Sequence, residues 1–213
     1  MTVLFKQFGM RRTSTNVLAE TVQAAFGIPV DSHDYGHKHR PYNAKAVRAA
    51  GAKRVMLLIA IKNPYAWVVS LHRWLKNKKQ VAGPPADDVE WPPKRVISQC
   101  VRYNRMYKHW CNLPLEKTVV PFEELIADPQ AAMNRIADEL DLEMQRLAEL
   151  PRRVVAPIGQ QGARRELNKK FDKQYYDKRR YLQHLTDEQR QAIADTIDWK
   201  FFKRFGYHPE DAS

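Results

Sequence analysis

Val3-Leu4-Phe5-Lys6-Gln7-Phe8-Gly9-Met10-Arg11-Arg12-Thr13-Ser14-Thr15-Asn16 decides how this chain is read. A largely apolar run reaches Gly9, two arginines and four small polar residues follow, and an amphipathic segment opens at Val17. The order is strand, tight loop, helix start. A helix beginning there directs unpaired backbone N–H groups and the positive end of its dipole into the loop. Arg11, Arg12, Thr13, Ser14, Thr15 and Asn16 add side-chain donors at the same place. That is the chemistry of an anion cradle, with phosphate the best-matched ligand. A Walker loop would place Gly, Lys and Ser or Thr at positions 14 to 16, where this chain has Ser14, Thr15 and Asn16. The same residues also suit a basic strand-to-helix turn that holds no ligand.

Outward from this stretch, strand-like and helix-like runs alternate. Val3 to Phe8 reads as a strand and Thr15 to Phe26 as a helix ended by Gly27 and Pro29. Ile28 to Ser32 is a short second strand, and Asp31 to Arg40 a polar loop. Asn43 to Ala50 has the pattern of a short helix. Arg54 to Ile61 is continuously apolar, as in a strand buried on both faces of a parallel sheet. Lys62-Asn63-Pro64 ends it, and helical spacing resumes from Tyr65 to Lys79. The proline-rich stretch 80–93 is expected to be a surface loop, and Lys94 to Trp110 a helix.

Thr118 to Phe122 reads as a strand in which Pro121 lacks a ladder donor, so an edge or strand end is expected. Asp128-Pro129 is a helix start, with the helix running to about Leu140. Residues 150–171 are basic and weakly patterned, which predicts a long loop. The capping box from Thr186 to Gln189 opens a last helix, expected to run to about Arg204 and to be closed by Gly206. Strands alternating with helices predict a parallel βαβ sheet with ligands beyond the carboxyl ends of its strands.

A length of 213 residues suits one α/β domain and falls short of two ordinary ones. No apolar stretch approaches the roughly 18 to 20 residues of a membrane span. The first strand-like run is entered at Thr2, and no signal peptide is expected. Cys100 and Cys111 lack metal-ligand spacing, and a reduced, cytoplasmic setting is expected. A net charge of +12 favours a polyanionic partner: nucleotide, nucleic acid, sulfated or phosphorylated sugar, or anionic membrane surface.

Two further segments carry chemistry. Lys62 ends a buried strand, and Ser70 follows two helical turns later, an arrangement that suits a second phosphate or simply a solvated strand end and a helix-face serine. His33, His37 and His39 share one loop, but no cysteine supports a zinc site there. A histidine of ordinary pKa near 6.5 suits a general base.

Taken together, these segments resemble the sulfotransferases that use 3′-phosphoadenosine 5′-phosphosulfate (PAPS). Arg12-Thr13-Ser14-Thr15-Asn16 is similar to the family's first loop, [KR]-[ST]-G-T-[TN]. Lys62-Asn63-Pro64 through Ser70 is similar to its R-[DN]-P-x5-S motif. Phe122-Glu123-Glu124-Leu125 with Asp128-Pro129 resembles Y-E-D-L…D-P, and His39-Arg40-Pro41 resembles the H-x-P of K-[ST]-H-L-P, which puts His37 in the place of the lysine. Ser14 stands in place of a glycine and Lys62 in place of an arginine.

The resemblance implies a P-loop-like α/β fold in a single domain, with a central parallel sheet flanked by helices and with loops 80–93 and 150–171 shaping the acceptor pocket. It implies PAPS as co-substrate, PAP as product, a hydroxyl-bearing acceptor, no metal and no specific nucleic acid. His39 takes the role of general base and Arg12 stabilises the departing nucleotide. Arg11, Arg12, Thr13, Ser14, Thr15 and Asn16 hold the 5′-phosphate, and Lys62 and Ser70 the 3′-phosphate. Phe122 matches an adenine-packing tyrosine, and Arg164-Arg165 is the nearest counterpart of a C-terminal Arg-Lys-Gly segment. A P-loop-like nucleotide kinase and a basic nucleic-acid-binding module, the latter suggested by Tyr175, Tyr176, Lys178, Arg179, Arg180 and Tyr181, are the alternative readings.

Overall fold

The computed structural model describes residues 3–33, 36–45, 54–82, 91–151, 153–155, 164–166 and 173–212. It forms two compact units, Met1–Ile61 with His109–Lys173, and Lys62–Lys108 with Gln174–Ser213.

The first unit is built on β1 (Val3–Gly9), β2 (Val30–Asp31), β3 (Arg54–Ile61) and β4 (Lys117–Pro121). All pairings are parallel, in the order β2-β1-β3-β4. Gly9 pairs with Ala60 and Ile61 with Pro121, so the loop after β1 opens at the edge where β3 and β4 end. Pro121 closes an edge strand, the position a residue without an N–H tolerates best.

Helices α1 (Thr15–Phe26), α4 (Phe122–Ala127) and α5 (Pro129–Leu140) flank the sheet. Phe5, Met56, Leu58 and Ala60 bury one sheet face against Val17, Leu18, Val22 and Phe26 of α1 and Met133 and Ile136 of α5. On the other face Phe8 stacks on Trp110, with ring centroids 5.4 Å apart. Asp128 caps α5 by accepting from the Ala131 N–H at 2.9 Å, with Pro129 at the first helical position. Arg135 then ties α5 to Glu124 of α4 at 2.8 Å and to the Val119 carbonyl of β4 at 3.1 Å.

The second unit contains α2 (Pro64–Ala82), most of α3 (Pro93–Cys111) and of α6 (Lys173–Asp177), a 3-10 turn at Arg180–His184, α7 (Asp187–Thr196), α8 (Trp199–Phe202) and two further short 3-10 turns. Its core is aromatic: Trp67, Tyr103, Tyr107 and Phe202 pack with centroids 4.5 to 5.9 Å apart. Tyr65 stacks on Trp199 at 5.7 Å.

Three expectations are corrected. Within 150–171, Arg153–Val155 and Arg164–Glu166 form strands β5 and β6, paired antiparallel, where a continuous loop was expected. Alternation there is too short to announce itself. The last helix stops at Thr196, because Asp198 caps a new helix by accepting from the Phe201 N–H at 3.1 Å. Phe122 begins α4 instead of ending β4. The capping box at Thr186 and Gln189 is present, and Gly206 closes the final turn at φ 81°. Most of the short helix expected over 43–50, and most of the loop at 80–93, lies outside the described residues.

Candidate active site

Gly9 fixes the geometry of the loop. A Cβ there would sit 2.7 Å from Thr15 Cγ2, 2.8 Å from Thr13 Oγ1 and 2.9 Å from the Ala60 carbonyl, so only glycine fits. Its N–H donates to the Lys38 carbonyl at 3.1 Å, and its own carbonyl accepts from His39 Nδ1 at 2.5 Å. The strand end therefore holds the 37–39 segment directly against the start of the loop.

The loop itself is bent by two residues in the left-handed region, Arg12 at φ 72° and Ser14 at φ 60°. For residues with a Cβ this conformation costs roughly 1 to 2 kcal/mol each. Thr13 is buried and donates its hydroxyl to the Met10 carbonyl at 2.7 Å. Ser14 is the N-cap of α1, but its hydroxyl makes no capping hydrogen bond, and the first turn of α1 carries no acid. The positive dipole end is thus neither capped by that side chain nor faced by an acid of its own first turn. Arg11 and Arg12 are exposed, and Thr15 is buried.

Beneath the loop, β1 carries polar side chains on both faces. Gln7 donates to the Thr15 carbonyl at 2.5 Å and accepts from Ser32 Oγ at 2.8 Å. Lys6, fully buried, pairs with Asp31 and donates to the Gly36 carbonyl at 2.5 Å. These contacts hold the start of the 32–38 segment onto β1.

That segment delivers the residue the sequence reading missed. Lys38 is only 6 % exposed, and its ammonium donates to Asn16 Oδ1 in the first turn of α1. Burial and the nearby Lys6 charge bring its pKa down to about 8. His37, which the H-x-P match put in the lysine's place, instead accepts from the His39 N–H through Nδ1 at 3.2 Å. Burial lowers the His37 pKa, helped by His33, Arg11, Lys38 and Arg40.

His39 is held in one tautomer. A carbonyl oxygen only accepts, so Nδ1 carries the proton toward Gly9 and Nε2 keeps its lone pair. Burial lowers its pKa to about 3, with Lys38, His37 and Arg11 adding to the effect and the Gly9 bond opposing it. The ordinary value expected from sequence does not hold here. The imidazole is neutral throughout the neutral range. The rings of His33, His37 and His39 follow one another at 5.1 and 5.0 Å. Among the described residues no group of three His, Cys, Asp or Glu side chains is set to hold a metal ion.

In the second unit, Lys62 is 2 % exposed, and its ammonium donates to Tyr176 Oη at 3.0 Å and lies 4.6 Å from that ring's centre. Its carbonyl accepts from Tyr103 Oη at 2.5 Å. Asn63 caps α2 by accepting from the Tyr65 N–H at 3.0 Å, and donates to Asp211 at 2.8 Å. Ser70 is half-buried in the second turn of α2. Arg73 donates to Tyr175 Oη at 3.2 Å and Tyr181 is buried, while Lys178 and Arg180 are exposed.

The remaining residues lie on other elements. Phe122 is buried at the start of α4. Arg164 and Arg165 lie in β6, their backbone paired with Val155 and Val154.

No family model matches this chain, and no curated protein sequence matches it.

Proposed function

We propose that this protein transfers a sulfuryl group from PAPS to an acceptor hydroxyl, with the β1 loop holding the donor's 5′-phosphate side. The observation that carries this reading is one cluster at the end of β1. There, a left-handed loop opening α1 meets a buried lysine and a histidine whose Nε2 is left unprotonated by the Gly9 carbonyl. The resemblance of Arg12–Asn16 and His39-Arg40-Pro41 to the PAPS sulfotransferases supports it, and so does the +12 net charge.

Each residue has a role that follows from its chemistry. The N–H groups of the first turn of α1, with Arg11, Thr15 and Asn16, hold the phosphate. Lys38, with its charge already turned into the loop, and Arg12 neutralise the charge that builds on the bridging oxygen. The acceptor oxygen forms a bond to sulfur in line with the breaking S–O bond. The electron pair of that bond leaves on the 5′-phosphate of PAP, and the acceptor's proton passes to His39 Nε2. A bound polyanion beside His39 favours the imidazolium, which raises its basicity when the donor is in place.

Release of PAP from PAPS, followed with a panel of hydroxyl acceptors, tests this directly. Turnover should fall by about 10² to 10⁴-fold in His39→Ala, with PAP binding retained. Undiminished turnover in His39→Ala would remove the base. PAPS that stays intact with every acceptor, in a protein that does not bind PAP, would remove the reaction.

A further inference from the structure

Outside the candidate site, the solvent face of α3 carries an unusual composition. From Pro93 to Cys111 this helix contains Lys94, Arg95, Arg102, Arg105 and Lys108 and not one acidic residue. Its inward stripe, Val96, Cys100, Tyr103, Met106 and Tyr107, is buried. Its outward stripe returns every three or four residues: Lys94, Ile97, Ser98, Val101, Arg102 and Arg105, all exposed.

At the centre of that stripe stand two bare aliphatic side chains, Ile97 at 41 % and Val101 at 53 % exposed. Their spacing of four residues makes them neighbours on one face. Among the described residues Lys94, Arg102 and Arg105 have no carboxylate within ion-pair distance, whereas Lys108 pairs with Asp198 at the far end of the helix.

We infer that this face of α3 docks the protein on an anionic lipid bilayer surface. An apolar centre framed by cations matches such a surface layer by layer: the aliphatic pair enters the headgroup region while Lys94, Arg102 and Arg105 meet the lipid phosphates. A second copy of this chain is a poor occupant, because like charges would face one another. Nucleic acid would reward the cations but offer nothing to Ile97 and Val101. No helix among the described residues is long and apolar enough to cross a membrane.

Sedimentation of the full chain with vesicles tests the inference, using phosphatidylcholine alone and an equal mixture with phosphatidylglycerol. The protein should pellet with the mixture and not with phosphatidylcholine alone, and added salt should release it. Ile97→Ser with Val101→Ser leaves the charge unchanged and should weaken vesicle binding by roughly tenfold. Arg102→Glu with Arg105→Glu should weaken it by more than tenfold. PAP should not release the protein, because the loop proposed to hold PAP and α3 are different elements, and release by PAP would count against the inference. All four positions are exposed, so circular dichroism of both variants should match the parent. Unweakened binding in the serine variant, no binding to the mixed vesicles, or release of bound protein by a short oligonucleotide would each overturn the inference.

Discussion

His39 Nδ1 donates to the carbonyl of Gly9 at 2.5 Å, across 30 residues of sequence. One hydrogen bond thus joins the last residue of β1, from which the Arg11–Asn16 loop departs, to the imidazole proposed above to take the acceptor's proton. It fixes the tautomer, while burial keeps the ring neutral against the upward pull of that same bond.

Burial of His39 sets a pH dependence of folding. The unfolded His39 titrates near 6.5 and the folded one near about 3. Between those values the unfolded chain binds the extra proton, so stability is full above about pH 6.5 and falls as pH drops toward 3. The slope from this residue is at most about 1.4 kcal/mol per pH unit. His39→Asn keeps a donor for Gly9 and cannot titrate, so urea unfolding between about pH 6.5 and 5 should show a visibly flatter loss. Saturating PAP should move the His39 ring titration upward by NMR, and a downward move would contradict the placement of the anion beside it.

Lys38 predicts a trade of stability against function. A buried ammonium whose pKa is brought down to about 8 is held at a cost in the ligand-free protein. Lys38→Met should leave thermal stability unchanged or raised. It should also weaken PAP by about tenfold or more, the worth of a lost charge-assisted bond of about 1.5 to 3 kcal/mol. Calorimetry and thermal unfolding on the same sample check both halves, and undiminished PAP affinity would return the lysine to a structural role.

The loop's backbone gives a second contrast. Ser14→Gly relieves a φ of 60° and should be neutral to about 1 kcal/mol stabilising, with PAP binding kept. Gly9→Ala forces a Cβ to within 2.7 to 2.9 Å of Thr15, Thr13 and the Ala60 carbonyl. It should cost more than about 2 kcal/mol and abolish PAP binding, which denaturation and calorimetry would read separately.

Much of this was legible in sequence, for identifiable reasons. The helix Thr15–Phe26 and the strand Arg54–Ile61 have the bounds their patterns predict, because apolar periodicity and end signals agree there. The capping box at Thr186 was readable because both halves of the motif lie three residues apart. Lys38 was not readable: in an irregular loop no period says which side chain turns inward, and the flanking histidines drew the match one residue away. The Lys62–Tyr176 bond joins residues 114 apart, and the Asn63–Asp211 bond residues 148 apart. No local pattern encodes either. Lys6 and Gln7 did carry a signal, as polar residues inside an otherwise apolar run, and their buried partners explain why the strand tolerates them.

The resemblance assigns the 3′-phosphate to Lys62 and Ser70, and nucleotide pairs isolate that group. Lys62→Ala should weaken PAP by about tenfold or more while leaving adenosine 5′-phosphosulfate, which lacks the 3′-phosphate, nearly unaffected. Ser70→Ala should act in the same direction and more weakly. Equal losses for both nucleotides would take these residues out of the 3′ site.

The most direct test of the central claim is a calorimetric titration of the full chain with PAP, set beside AMP, ATP with magnesium, and a short oligonucleotide. The account predicts that PAP binds most tightly, and that a hundredfold excess over its dissociation constant stabilises the fold by about 2.7 kcal/mol. It predicts that AMP, lacking the 3′-phosphate, binds at least about tenfold more weakly, and that magnesium does not improve PAP binding. Tight binding of ATP that requires magnesium, or of the oligonucleotide, with none of PAP, would contradict it.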